Sequence, residues 1–355
     1  MTPIHDSQIV HPSVWKTADI PSKDTIAVDL DTADLAELER TMQTIDRSKP
    51  ATGVQARDVH MPGVAERLAR VRHELRDGRG IVLVRRLPVE RYSYAEAELA
   101  YWLLGLQLGV AVSQSKRGDR IGHVRNEGAS AEGAHARAYR SNAAQAYHTD
   151  VPDILSLFCV AKAKSGGESM FCSALHVHNE LQAQSPLHLK LLYEGFQFHR
   201  RGEERPGDLP YTPHRVPMFW FKDGKVGSRY LPRMAKAGPE VTGVPLTPAQ
   251  LEALDAFNRI ATREDVTLTF MLEPGEIIFV NNYTVCHGRA AFTDDSDERE
   301  RRHLLRLWLE VDDFYPIVPE IHIWGGGDGR GGIAFDDVEP RPAQVAGGRR
   351  GAVSR

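Results

Sequence analysis

Two side chains able to grip a metal stand one residue apart in the stretch QAYHTDVPD, residues 145–153: His148 and Asp150, with Thr149 between them. Alternate residues of an extended chain point to the same side, so the imidazole and the carboxylate project together while Thr149 turns away. Two imidazoles and one carboxylate on one face of an octahedron are the usual protein ligands of mononuclear non-haem iron, and three positions stay open. The missing imidazole must arrive from a distant strand. His287 offers it, shortly after the Pro274-Gly275 turn and the apolar run EIIFVNN in EPGEIIFVNNYTVCHGRAAF, residues 273–292. A His-x-Asp is weak by itself in a chain with 15 histidines. A similar triplet, His178-Asn179-Glu180, carries helix signals: Ser173 as a cap, then apolar Leu175, Val177 and Leu181. In a helix, positions i and i+2 diverge by about 200°, so that pair is read as solvated surface and rejected as a metal site.

The second chemical feature is a basic run that turns apolar, ERERRHLLRLWLE, residues 298–310. Read as a strand, it puts Arg302, Leu304, Arg306 and Trp308 on one face and His303, Leu305, Leu307 and Leu309 on the other. Arginines facing a strand-rich interior are costly unless they meet anions. A guanidinium pairs bidentately with a carboxylate, and 2-oxoglutarate has two carboxylates. On the residues alone, a solvated edge strand stays open here, as does a zinc hydrolase using the same three ligands.

Taken together, HTD, SGGES (165–169), the later CHG and RRHLLR resemble the taurine dioxygenase family of Fe(II)/2-oxoglutarate-dependent oxygenases. The resemblance spans roughly residues 75–315 and is strongest in YHTDVPDILSLFCVAKAKSGGES and EIIFVNNYTVCHGRAAF…RRHLLRLWLE. It implies that His148, Asp150 and His287 are the iron ligands and the catalytic centre. It assigns Arg302 to the distal carboxylate of 2-oxoglutarate. Ser169 stands where relatives often have a threonine that hydrogen-bonds the same carboxylate. Arg306 matches a second arginine, near the oxoacid or on an anionic substrate. The implied fold is a double-stranded β-helix, a distorted jelly roll. The implied cofactor is Fe(2+), with 2-oxoglutarate and O2 as co-substrates and succinate and CO2 as products. The implied reaction is hydroxylation of an unactivated C–H bond in a small, carboxylate-bearing or zwitterionic molecule. Desaturation and ring closure use the same ligands and stay open. Asp150 argues against radical halogenation, in which chloride takes the carboxylate's place. A jelly-roll binding protein that had lost its chemistry would lack a ligand or an arginine, and none is missing.

These groups need a scaffold. Hydrophobic residues at 41% and charged residues at 26%, with 44 basic and 48 acidic side chains interspersed, describe an ordinary globular chain with no electrostatic case for nucleic acid or a membrane surface. Three cysteines without a C-x-x-C, no signal-like N-terminus and no long apolar run point to a reducing, cytoplasmic setting and a small-molecule substrate. Whether the chain forms a homo-oligomer is left open.

Helical spacing marks DTADLAELERTMQTID (31–46), GVAERLARVRHELRDGRG (63–80) and, capped by Ser93, YAEAELAYWLLGLQLG (94–109), with the strand IVLVRRL (81–87) among them. From 145 onward short strands dominate, GFQFHRR (195–201) among them, interrupted by helical pieces near 176–194 and, capped by Thr247, near 247–262. The expected class is mainly β with flanking helices, α+β. The expected organisation is an N-terminal extension (1–60), one oxygenase domain (61–338) and a disordered tail (339–355). Segments 113–147 and 200–240 are expected as lid or pocket walls, with Tyr139, Asn142, Arg229 and Tyr230 as substrate-side candidates. Trp220 and Cys286 are read as packing residues.

Overall fold

In the computed structural model, which describes residues 3–129, 133, 138–324, 332 and 333, the apolar runs pair into two main sheets. The larger runs Ala27–Asp29, Ile81–Arg85, Ile277–Asn281, Ile154–Ala161, His303–Glu310 and Val110–Ala111, with Ile121–Val124 also paired to His303–Glu310. Only its first pair is parallel. The smaller sheet is antiparallel and runs Leu268–Phe270, Ser169–Ser173, Val285–Arg289, Gln145–His148.

Period-two alternation decides which face goes where. Val82, Val84, Ile277, Phe279, Leu305 and Leu307 join a core with Leu68, Val71 and Leu75 of the helix Pro62–Asp77 and with Leu103 and Leu104 of the helix Tyr94–Leu108. Their neighbours Ile81, Leu83, Ile278, Val280, Leu304 and Trp308 enter a second core that also holds Phe171, Cys172, Val285 and Cys286 of the smaller sheet. Helices therefore cover one face of the large sheet, and the small sheet lies over the other. The result is a mixed α+β architecture with its inter-sheet space lined by the 302–308 face.

Local signals placed the helices. Asp31, Ser93 and Thr247 each accept backbone hydrogen bonds in a capping box, at the starts of Thr32–Thr44, Tyr94–Leu108 and Pro248–Ala261. Ser173 caps Ala174–Gln184, and Pro186–Glu194 follows it. Three expectations need correcting. GFQFHRR is not a strand: it makes only the isolated bridges Phe196↔Val216 and His199↔Tyr211, and its end turns through left-handed Arg201 (φ 63). The segment Pro232–Thr242 is a helix, although Gly238-Pro239 signals a break; it runs past Pro239 for part of a turn and stops at left-handed Gly243. The triplet at 178–180 is not solvated surface: His178 is fully buried, with Nε2 2.9 Å from the Tyr193 hydroxyl.

The described residues 3–60 pack into the body. Ala27–Asp29 is an edge strand of the large sheet, and buried Trp15 donates from Nε1 to the Arg79 carbonyl at 3.0 Å. The expected tail at 339–355 lies outside the described residues. Among the described residues, no helix is long and apolar enough to cross a membrane.

Candidate metal centre and anion pocket

His148 ends the strand Gln145–His148 and faces His287 directly across the pairing with Val285–Arg289. Their ring centroids are 4.2 Å apart. Asp150 follows two residues later, and one ligand atom from each of His148, Asp150 and His287 lies within 4.8 Å of the others.

Asp150 is held on every side. Its N–H donates to Asn282 Oδ1 at 3.0 Å, and its carbonyl accepts from Arg229 Nη1 at 2.5 Å. Carboxylate oxygen Oδ2 accepts from Trp308 Nε1 at 2.8 Å and from Arg306 Nη1 at 3.3 Å. The outer oxygen is thus tied to the large sheet, leaving Oδ1, 3.9 Å from His148 Nε2, turned toward the histidines. His148 Nδ1 lies 2.9 Å from the Ala146 carbonyl. A carbonyl only accepts, so Nδ1 carries the proton and Nε2 keeps its lone pair. Gln145 Nε2 sits 3.2 Å from that lone pair.

Charge states follow from burial. Burial, helped by His148, pulls His287 down to about 3, and burial also lowers His148. Burial opposes the charge on Asp150, but Arg306, His287 and His148 outweigh it and keep the carboxyl below its usual range. Two neutral imidazoles and an ionised carboxylate are the protonation states a divalent cation requires. The buried Nδ1 of His287 has no hydrogen-bond partner. Donor set and orphaned nitrogen both fit a bound metal.

A second buried group lies beside it. Arg302 is 3% exposed, and its Nη1 has no hydrogen-bond partner. Its guanidinium packs 5.0 Å from the Phe292 ring centre, and burial pulls it down to about 10. The glycines of SGGES make this possible. Gly167 has φ +83, and a Cβ there would sit 3.2 Å from Arg302 Nε; one on Gly166 would collide with the Ala291 carbonyl oxygen. Ser169 is buried, opposite Arg289 in the sheet register.

Arg306 stands four residues beyond Arg302, within the strand His303–Glu310. Its Nε donates to Gln114 Oε1 at 2.6 Å, and its guanidinium lies 4.8 Å from the Tyr139 ring and 4.9 Å from the Trp308 ring. Tyr139 is accordingly half-buried at the site. Asn142 is exposed, and its carbonyl accepts from Phe292 N–H at 3.0 Å. Arg229 lines a small cavity with Asp153, Tyr283 and Trp308, and Tyr230 is buried in the core. Arg229 is 1% exposed and committed to the Asp150 carbonyl, while Tyr230 stacks on Phe257 and donates its hydroxyl to the Leu254 carbonyl at 3.0 Å. Trp220 and Cys286 are core residues, as read. Gln114, Asn282 and Arg289 were missed: isolated polar residues in loops or after a glycine carry no pattern that marks them.

The family described as taurine catabolism dioxygenase TauD, TfdA matches residues 46–308. The chain belongs to this family. It is an Fe(II)- and 2-oxoglutarate-dependent dioxygenase. It is 32% identical to FR-33289 synthase of Streptomyces rubellomurinus (strain ATCC 31215), over 88% of this chain and 94% of that protein. Identity to the taurine hydroxylase-like protein SAT17 of Stachybotrys chartarum (strain CBS 109288 / IBT 7711) is 25%, over 84% and 78%. Among solved structures, the dioxygenase resembles asparagine oxygenase in complex with Fe(II), 3-hydroxyasparagine and succinate (TM-score 0.60, 17% identity, 80% of this chain and 93% of that one). It also resembles the non-heme iron oxygenase OrfP with Fe and alpha-ketoglutaric acid (TM-score 0.56, 15% identity, 81% and 94%).

Proposed function

We propose that His148, Asp150 and His287 hold the iron, that Arg302 and Ser169 seat the distal carboxylate of 2-oxoglutarate, and that the two sheets form a double-stranded β-helix around both. The observation that carries this reading is the convergence of the three ligand atoms within 4.8 Å, between the sheets that also bury Arg302. Iron and the 2-oxoacid, when bound, supply the dioxygen chemistry that yields succinate and CO2 and oxidises a C–H bond.

The chain's own part is positioning. Trp308 and Arg306 fix the outer oxygen of Asp150, so its inner oxygen meets the metal without rotating. The Ala146 carbonyl fixes the tautomer and ring plane of His148. Arg302, desolvated and short of acceptors, binds a carboxylate more strongly than a surface arginine would. The described parts of segments 113–147 and 200–240 wall the substrate side: Tyr139 covers Arg306, and the charge of Arg201 reaches His148.

The substrate is a small carboxylate-bearing or zwitterionic molecule, and the reaction is a hydroxylation. Arg306 supports this, as a cation beside the metal ligands. So do the hydroxylated amino acids named in the structures of similar fold, 3-hydroxyasparagine and (3S)-hydroxy-L-Arg. A synthase named for its product among the relatives favours a biosynthetic role. Three buried free thiols suit the cytoplasm. The test is Fe(II)-dependent succinate formation from 2-oxoglutarate across a panel of amino acids. Succinate should form with iron and vanish in His148→Ala and His287→Ala; iron-independent turnover would end the reading.

A further inference from the structure

We infer that Arg289 is a second cation for the distal carboxylate of 2-oxoglutarate and ties that carboxylate to the segment 138–144 on the substrate side. The inference rests on the proposed seat of the carboxylate at Arg302 and Ser169, and deepens it.

Placement comes first. Arg289 stands two residues beyond His287 on the same strand, and directly opposite Ser169 in the register of Val285–Arg289 with Ser169–Ser173. Residues two apart, and residues paired across a ladder, share a face, so Arg289 points into the space that His287 and Ser169 border. Its side chain is 5% exposed.

Charge comes second. The guanidinium carbon of Arg289 lies 4.8 Å from the centre of the Phe292 ring, and that of Arg302 lies 5.0 Å from the same ring. Two buried cations thus flank one aromatic side chain. Asp294 bears on both. The two guanidiniums also repel one another in their buried setting, and an anion that meets both relieves that cost. A carboxylate offers two oxygens and about four lone-pair sites, enough to accept from two arginines at once.

Connection comes third. Arg289 Nη2 donates to the carbonyls of Ser141, at 2.9 Å, and Ala143. These residues lie between Tyr139, which covers Arg306, and the strand that ends in His148. An anion on Arg289 therefore joins the co-substrate, the His287 strand and the substrate-side segment in one network.

The experiment compares 2-oxoglutarate with 2-oxobutyrate, which keeps the 2-oxoacid head and lacks the distal carboxylate. Binding of each to the full chain loaded with Mn(II) is measured by anaerobic calorimetry in wild type, R289M and R289Q. In R289M, 2-oxoglutarate should weaken by about tenfold to a hundredfold while 2-oxobutyrate stays within about twofold. R289Q is neutral yet keeps a donor for the Ser141 or Ala143 carbonyl. It should show the same selective loss, and it decides the matter if R289M does not fold. Equal weakening of both oxoacids would reduce Arg289 to a structural tie and overturn the inference, as would no change in either. Wild type that binds neither oxoacid would instead overturn the proposed co-substrate seat itself, so the two failures are distinguishable.

Discussion

At the scale of single residues, function depends on which atom of a side chain is left over after the protein has used the rest. Asp150 illustrates this: Trp308 and Arg306 take Oδ2, the backbone N–H and carbonyl go to Asn282 and Arg229, and Oδ1 alone faces the histidines. Trp308→Phe removes one hydrogen bond from Asp150, the proposed metal ligand, and leaves its carboxylate in place. It should weaken metal affinity by about tenfold or more, read by Mn(II) or Fe(II) titration, with little loss of Tm. Unchanged affinity would mean that Arg306 and the backbone suffice. The residue types of the site were legible from spacing, because alternation along a strand is a local rule. Gln114 and Asn282 were not, because a lone glutamine or asparagine says nothing about the distant group it reaches.

At the scale of elements, the turn SGGES and the strand His303–Glu310 matter most. Gly166 and Gly167 take left-handed backbone, and Gly167 lies where a side chain would press on Arg302. Gly167→Ala should raise the KM for 2-oxoglutarate by about tenfold while binding of Mn(II) alone is unchanged, since a strained φ of order 1 kcal/mol or more falls on the oxoacid side only. Equal damage to both would point to wider collapse of the turn. In the strand, Leu305, Leu307 and Leu309 bury against the helices while Leu304 and Trp308 face the inner core. Leu307 is fully buried, so Leu307→Ala should cost about 2–5 kcal/mol, seen as a lower Tm in thermal denaturation. Caps at Ser93, Ser173 and Thr247 were readable because capping is settled within four residues. The helix Pro232–Thr242 was not, because burial of Met234 and Ala235 outweighs the Gly-Pro stop signal.

At the scale of the whole molecule, burial of histidines sets the response to acid. Burial leaves His178 and His287 at about 3 and His303 at about 4, and lowers His148. Each is neutral in the fold and takes up a proton on unfolding near its ordinary value of about 6.5. The unfolded chain therefore binds more protons below that pH, and stability falls as pH drops from about 6.5 toward 4 and 3. In the folded chain protons compete with a metal for His287 only near its lowered value of about 3, so metal affinity should hold to lower pH than stability does. Thermal denaturation of the metal-free protein from pH 7.5 to 4.5 checks the first expectation; a flat Tm would contradict it.

The amino-acid order alone supplied the candidate ligand types, the family likeness and most helix starts, because each is written in residues a few positions apart. Only the folded chain decided that His287 meets His148, that Arg229 serves the backbone of Asp150, that His178 is buried, and that Arg289 stands beside Arg302. Those facts depend on strand register and on which surfaces exclude water, and both are properties of segments brought together from far along the chain.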